Sequence, residues 1–168
     1  MDVTLASGPH ATLDAAARQE WLARCEAAYA TVYRGLIAMG ATPDDAADAL
    51  QDAFEAALRQ RTPVERPDGW LFVVAHRRWR RARWRRRIFR PLELVGATIR
   101  SDRDEEIDLL TELGRLTERQ RTVIVARYVL GLSQREIAEL LGIAPGTVAA
   151  TVHQATALLR ERLLGGTK

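Results

Sequence analysis

Nine arginines and two tryptophans stand within fifteen consecutive residues, HRRWRRARWRRRIFR, from position 76 to position 90. This block contains no acidic residue, and because the whole chain carries +3 and the block +9, the other 153 residues carry −6. Guanidinium groups form forked hydrogen bonds to phosphate and stack on flat rings, and indole rings add a large aromatic surface. Phosphate neutralisation beside stacking groups is the chemistry of single-stranded nucleic-acid binding. The block therefore predicts a polyanionic partner, and the acidic remainder a different one.

The spacing of apolar residues predicts the elements that carry this block. It indicates helices throughout and no strand, so we expect an all-α fold of two small helical domains joined by a flexible linker. The first domain would span 16–90, the linker 91–108 with its acidic run SDRDEE, and the second domain 109–164. Helices are predicted at about 16–39, 43–60, 69–87, 109–113, 118–130, 134–141 and 145–164.

The third predicted helix begins apolar and ends in arginines. Trp70 and Val74 are expected in the core, whereas Trp79 and Trp84 are equally compatible with packing on the domain and with stacking on bases. One side of this helix collects Arg77, Arg80, Arg81 and Arg85, with Arg83 and Arg87 alongside.

The second predicted helix has a well-marked start and an acidic outer face. Thr42 can cap it, and Pro43 suits its first position. Its core face would include Ala46, Leu50 and Phe54. Four polar residues at spacings of three and four share the outer face, which is either an ordinary solvated surface or a docking site for a basic partner. They are Asp48, Gln51, Asp52 and Glu55.

The segment LSQREIAELLGIAPGTVAATV, residues 132–152, predicts a helix-turn-helix. Thr117 with Gln120, and Ser133 with Glu136, form two capping boxes before short helices. Gly142 ends the first helix of the pair, and Pro145 opens the second, whose N-terminal residues would project toward a major groove. Helical hairpins also serve as protein adaptors, so the motif is more specific for the fold than for DNA binding.

Other chemistry is not indicated. Cys25, the single cysteine, lies on an apolar helical stripe and is expected in the core. His10, His76 and His153 lack partners at metal-ligand spacing, and the chain contains no phosphate-cradling glycine loop. We expect no catalytic residue, no cofactor and no enzyme activity. Without a membrane span or a signal peptide, the expected location is cytoplasmic.

Three segments together resemble the extracytoplasmic-function sigma factors of bacterial RNA polymerase. They are DDAADALQDAFEAAL, PDGWLFVVAHRRWRRARWRRR and LTERQRTVIVARYVLGLSQREIAELLGIAPGTV, and their order and spacing cover about residues 16–164. The resemblance implies a domain that binds core polymerase and melts the −10 promoter element, a linker that passes near the polymerase active centre, and a helix-turn-helix domain for the −35 element. The implied partners are the β and β′ subunits of core RNA polymerase and promoter DNA, with an anti-sigma factor as a further candidate.

The resemblance also implies roles for particular residues. The acidic face of Asp48, Gln51, Asp52 and Glu55 would dock on polymerase, and the loop Arg61–Asp68 would hold a flipped base of the −10 element. The −10 contacts would come from Arg77, Arg78, Trp79, Arg80, Arg81, Arg83, Trp84 and Arg85. The −35 contacts would come from Arg135, Thr147, Thr151, His153 and Gln154.

The chain departs from the family pattern at both DNA surfaces. Arg77 replaces a usual asparagine and Arg81 a frequent aspartate, which strengthens the general attraction for DNA. The run Ala149, Ala150 and Thr151 replaces a common lysine, serine and arginine, which predicts weak or atypical −35 binding. Two alternatives therefore stand beside the sigma factor: a polymerase-independent helix-turn-helix regulator, and a sigma-like adaptor that needs a partner activator for −35 recognition.

Overall fold

A computed structural model describes residues 14–61, 64–89 and 104–165, with only the backbone considered for 87–89, 104–108 and 165. These ranges are all-α and contain no strand, as predicted. None of their helices is long and apolar enough to cross a membrane. The helices are α1 (Ala15–Ala27), α2 (Tyr29–Ala38), α3 (Pro43–Arg59), α4 (Pro67–Phe89), α5 (Asp104–Gly114), α6 (Glu118–Tyr128), α7 (Gln134–Leu141) and α8 (Pro145–Gly165).

The single helix predicted over 16–39 is wrong, because the structure divides it into α1 and α2 at Ala28. The backbone N–H of Ala28 is shared between the carbonyls of Arg24 and Cys25, at 3.2 Å from each. Such a shared hydrogen bond tightens one turn and interrupts the regular ladder. Nothing in the spacing of apolar residues marks the position.

The starts of α3 and α4 follow local chemistry. The hydroxyl of Thr42 accepts the N–H of Asp45 at 3.2 Å, so the predicted cap of α3 is confirmed. Helix α4 begins at Pro67, two residues before its predicted start, because the fixed φ and missing N–H of proline suit a first helical position. Two faces of these helices pack together, which places Leu50 of α3 and Leu71 of α4 in the core.

Helix α5 begins at Asp104, five residues before the predicted 109–113 helix and inside the predicted linker. The acidic run that suggested a linker suits the positive N-terminal end of a helix dipole equally well. The rest of the predicted linker, up to residue 103, lies outside the described residues. The domain boundaries 16–90, 91–108 and 109–164 stay predictions.

Both predicted capping boxes are present. The side chains of Thr117 and Ser133 accept backbone N–H groups three residues on, and Gln120 and Glu136 accept in return. Gly142 ends α7 in the left-handed conformation at φ 66°, where a side chain would be strained. The angle between α7 and α8 encloses buried apolar residues, and the helix-turn-helix prediction is therefore confirmed as a fold.

The two helical halves pack on each other through one continuous apolar core. Leu36 of α2 and Phe72 of α4 lie in the same buried cluster as Val125 of α6 and Ile137 of α7. Each of these side chains is at most 1% exposed. The predicted pair of helical domains is thus closed into one unit in this structure.

Candidate nucleic-acid interface

The arginine block occupies the part of α4 that leaves the core. Every third or fourth residue up to Trp79 is buried, as an amphipathic helix requires, but from Arg80 to Arg86 no side chain is buried. Arg86 pairs with Asp45 at the start of α3, at 2.5 Å, which ties this exposed part of α4 to its own domain. All the predicted −10 arginines are exposed: Arg77, Arg78, Arg80, Arg81, Arg83 and Arg85.

The two tryptophans of the block have opposite environments. Trp79 is only 4% exposed and belongs to the core, so its ring is not accessible to DNA in this arrangement, and its predicted −10 contact stays a prediction. Its ring lies 5.8 Å from that of His76, and the Arg83 guanidinium stands 5.5 Å from its centre, within cation–π range. Trp84 is 64% exposed and remains available for stacking.

His76 is a buried neutral imidazole beside the arginine block. Burial lowers its pKa to about 4, and Arg80 and Arg77 act in the same direction, whereas Glu118 opposes them. The 3.9 Å approach of His76 Nε2 to Glu118 is therefore not an ion pair at neutral pH. In the described structure Nε2 has no hydrogen-bond partner.

A groove of about 910 Å³ lies between α4 and α6. Arginines of the block line one side of it, while Glu118 and Arg121 of α6 line the other. Glu118 accepts from Arg80 Nε at 3.0 Å. Arg121 donates to the Met39 carbonyl at the end of α2, at 2.9 Å, and to the Gly114 carbonyl at 2.6 Å. Sequence reasoning missed both α6 residues, because only the packing of the folded chain brings them beside the arginine block.

The loop predicted to hold a flipped base is engaged by the helix-turn-helix. Arg66 pairs with Asp68 at 2.7 Å and with Glu136 of α7 at 2.5 Å. The hydrogen bond to Asp68 is the main cause of a raised pKa for Arg66. Burial alone would raise the pKa of Asp68, but hydrogen bonds from Arg66 and from the Gly69 N–H outweigh it and lower that pKa. Residues 62 and 63 lie outside the described residues.

The four residues of the acidic face are all exposed on α3, on the side opposite the buried stripe of Ala46, Leu50 and Ala57. Glu55 approaches Arg59 on the next turn at 4.0 Å, and both side chains are more than half exposed. Such a pair contributes little to stability. The structure thus brings Asp48, Gln51, Asp52 and Glu55 together on one open surface.

The predicted −35 residues differ in exposure, and Thr147 is half-buried. Arg135, His153 and Gln154 are exposed, and Arg135 pairs with Glu139 at 2.9 Å. Thr151 is only 8% exposed, and its hydroxyl donates to the Thr147 carbonyl at 2.7 Å. The hydroxyl of Thr151 is thus satisfied within its own helix, as is common for Thr on a helix, and its predicted DNA contact stays a prediction.

Cys25 is fully buried, as predicted, beside Trp21 and Ala57. Burial raises its pKa to about 11, so the thiol is protonated at neutral pH and unreactive. Within the ranges that the structure describes, no group of three or more His, Cys, Asp or Glu side chains could hold a metal ion.

Comparisons with known proteins agree with this geometry. Residues 106–159 match the family model "Sigma-70, region 4". The chain is 32% identical over 132 residues to the RNA polymerase sigma-E factor of Streptomyces coelicolor, covering 73% of each chain. It is 27% identical over 128 residues to the RNA polymerase sigma factor SigV of Bacillus subtilis, covering 71% of this chain and 76% of that one.

Two solved structures share the fold. The sigma factor RpoE of Bartonella quintana, in complex with the anti-sigma factor NepR, matches 89% of this chain and 97% of its own with a TM-score of 0.67 at 23% identity. CnrH, in complex with the cytosolic domain of CnrY, matches 92% of each chain with a TM-score of 0.64 at 26% identity. The chain is a sigma factor of RNA polymerase. Within that class it belongs to the extracytoplasmic-function family.

Proposed function

We propose that this chain binds the β and β′ subunits of core RNA polymerase, directs the enzyme to promoters and helps to open the −10 region. Polymerase carries out the chemistry, so the chain itself needs no catalytic residue or cofactor. The observation that supports this function best is the exposed arginine end of α4, which presents an unburied indole among guanidinium groups. Its place of action would be the cytoplasm, where polymerase and chromosome meet.

Trp84 and its neighbouring arginines would hold the separated strand. Stacking of a base on an aromatic ring contributes about 1–3 kcal/mol, and it tolerates any base. Arg81 and Arg85 lie on neighbouring turns of the same exposed helix end and can follow a phosphate backbone. Trp79 has a different role, because its buried ring anchors this end of α4 to the core.

The acidic face of α3 would dock on a basic surface of polymerase. This face is exposed, and its side chains that are three or four residues apart project in similar directions. Reversing one charge in the centre of such a face costs far more than removing a charge at its rim.

A sigma-like adaptor that relies on a partner activator is the second candidate. It is favoured by the burial of Thr151 and by the small side chains of Ala149 and Ala150, which leave α8 with His153 and Gln154 as exposed polar groups near its start. The anti-sigma factor NepR in one of the two similar structures makes an anti-sigma protein a further candidate partner here.

The test is co-purification with core polymerase followed by run-off transcription. Asp52→Arg should reduce polymerase association at least tenfold, whereas Glu161→Arg, an equal charge change on the exposed C-terminal end of α8, should leave it unchanged. Transcription by the wild-type chain without a further factor supports the sigma factor, and transcription only with an activator supports the adaptor. Failure to associate with polymerase at all would leave a polymerase-independent regulator.

A further inference from the structure

The groove between α4 and α6 has an unbalanced charge. Its lining contains six arginines and a single carboxylate, that of Glu118. The six are Arg77, Arg80, Arg81, Arg83, Arg85 and Arg121. Within the ranges that the structure describes, Arg80 is the only one of them that pairs with a carboxylate. Like charges at this density repel one another, so the groove attracts a compact anion.

Arg121 gives the α6 wall of the groove a positive charge in a fixed position. Its guanidinium donates to backbone carbonyls, among them that of Met39 at 2.9 Å and that of Gly114 at 2.6 Å. These carbonyls orient the guanidinium, but they carry no net charge and do not neutralise it. Burial lowers the pKa of Arg121, and the charge of Arg83 acts in the same direction, whereas Glu118 opposes it. An anion between the two walls would relieve the repulsion between these arginines.

The groove also offers one accessible aromatic ring. Two indoles line it, but Trp79 is only 4% exposed and has the Arg83 guanidinium over its ring at 5.5 Å. Trp84 is 64% exposed. Every nucleobase has a flat π face, so stacking on such a ring requires no particular base. The lining therefore combines a cluster of guanidinium groups with a single stacking position.

The size of the groove suits a small molecule. Its volume of about 910 Å³ lies within the range of about 300–1,000 Å³ that is usual for ligand sites. Guanidinium groups bind phosphate oxygens through forked hydrogen bonds. A ligand that matches both parts of the lining carries several phosphates at one end and a flat ring at the other. A nucleoside polyphosphate has this chemistry, whereas a long strand would also contact arginines outside the groove, such as Arg78.

We propose that the groove between α4 and α6 is a binding site for a free nucleoside polyphosphate, whose base stacks on Trp84 and whose phosphates lie between the arginines of α4 and Arg121 of α6. Arg81 and Arg85, on successive turns of α4, hold the phosphates. Glu118 is the one acid of the lining, and it repels phosphate and limits the affinity. This site goes beyond the proposed function, and its test requires neither polymerase nor a promoter.

The first test is isothermal titration calorimetry of the full chain with adenosine triphosphate, without added metal, in about 0.1 M salt. Wild type should bind saturably, with a Kd below about 0.1 mM. Arg81→Ala should weaken binding by roughly tenfold, because a charge-assisted hydrogen bond to phosphate is lost. The matched control is Arg78→Ala, which removes the same exposed charge from the same helix outside the groove and should change the Kd by less than about twofold.

The second test separates the ring from the charge. Inorganic triphosphate carries phosphates but no base, so wild type should bind it several-fold more weakly than adenosine triphosphate. Trp84→Ala should weaken the binding of adenosine triphosphate by about tenfold, because the base loses its stacking partner. The same variant should change the Kd of inorganic triphosphate by less than about twofold, since the arginines are intact. An equal loss for both ligands would overturn the assignment of a nucleotide.

The third test removes the repelling acid. Glu118→Gln keeps an oxygen that accepts from Arg80 but loses the negative charge, so it should tighten the binding of adenosine triphosphate by about threefold. Glu139→Gln is the matched control, because Glu139 pairs with Arg135 at 2.9 Å, is similarly exposed and lies outside the groove. A gain of equal size in both variants would contradict a role for the α6 wall.

A wild-type chain that shows no saturable binding of adenosine triphosphate would overturn the proposal. Equal losses in Arg81→Ala and Arg78→Ala would also overturn it, since binding would then depend on the net charge of the block. Single-stranded (dT)20 is the comparison ligand, because a long strand is not confined to the groove and should lose affinity in both arginine variants. A nucleotide that followed the same pattern would be only a fragment of such a strand, and the groove would not be a site of its own.

Discussion

The two helices proposed to face DNA in this sigma factor have opposite compositions. The exposed end of α4 carries arginines at most positions from 77 to 86, whereas the start of α8 presents alanines, one histidine and one glutamine. The first surface can bind any phosphate backbone strongly, and the second can contact few phosphates. We therefore expect the proposed −10 surface on α4 to supply most of the affinity for DNA, while the proposed −35 surface on α8 adds little binding energy alone.

The largest expected effect is on the arginine surface. Replacing Arg77, Arg81 and Arg85 together by alanine should weaken binding to single-stranded (dT)20 by one to two orders of magnitude and reduce the slope of log affinity against log salt by about 2. Replacing Arg115, Arg119 and Arg160, which are exposed elsewhere, removes the same charge. An equal loss in both triple variants, measured by fluorescence anisotropy, would show that only net charge matters.

The two tryptophans of α4 separate stability from binding. Trp79→Ala should lower the free energy of unfolding by about 3–5 kcal/mol, because it leaves a cavity in the core. Trp84→Ala should change the free energy of unfolding by less than about 0.5 kcal/mol, because its exposed ring contributes little to the fold. It should weaken (dT)20 binding by about tenfold, because the bases lose a stacking partner. Urea unfolding and anisotropy of both variants check this contrast. A loss of stability in Trp84→Ala would show that its ring packs against the protein and would contradict this prediction.

His76 makes the buried part of α4 sensitive to acid. An unfolded histidine takes up a proton near pH 6.5, but in the folded chain the pKa is about 4. The unfolded state therefore binds more protons between these values, and stability should fall by up to about 3 kcal/mol as the pH drops from 6.5 to 4. His76→Phe should remove this part of the loss in urea titrations at several pH values. His153→Gln, at an exposed position, should retain it.

Features that depend on residues close together in the chain could be predicted from the sequence, whereas features that depend on distant residues could not. The caps at Thr42, Thr117 and Ser133 were predictable, because each depends on residues three positions apart. The exposure of the acidic face followed from helical periodicity. The spacing of apolar residues did not show whether Trp79 is buried, because its burial depends on where α4 leaves the core.

The contacts between the two halves could not be predicted either, because they join residues that are far apart in the sequence. Glu118 and Arg80 are 38 residues apart, and only the packing of α6 beside α4 makes one carboxylate a partner of the arginine block.

Adding charge to α8 should bring the two DNA surfaces closer in strength. Ala150 is exposed near the start of α8, and Ala150→Arg should increase affinity for mixed-sequence duplex DNA by a few-fold and steepen the salt slope by about 0.9, the value for one phosphate contact. Ala23→Arg on α1 adds the same charge to the other domain. A gain of equal size in both variants would argue against α8 as the contacting helix.

The smallest effect is expected at Thr151. Its hydroxyl is satisfied by the Thr147 carbonyl and is turned away from solvent, so Thr151→Val should change duplex affinity by less than about twofold and stability by less than about 1 kcal/mol. Gln154→Ala, at an exposed position on the same helix, should weaken binding more than Thr151→Val does. If the reverse is measured by anisotropy at low salt, α8 must rotate or repack on DNA, and the hydroxyl of Thr151 must exchange its helix carbonyl for a base edge. The small number of exposed polar groups on the proposed −35 surface would then be a feature of the closed state alone.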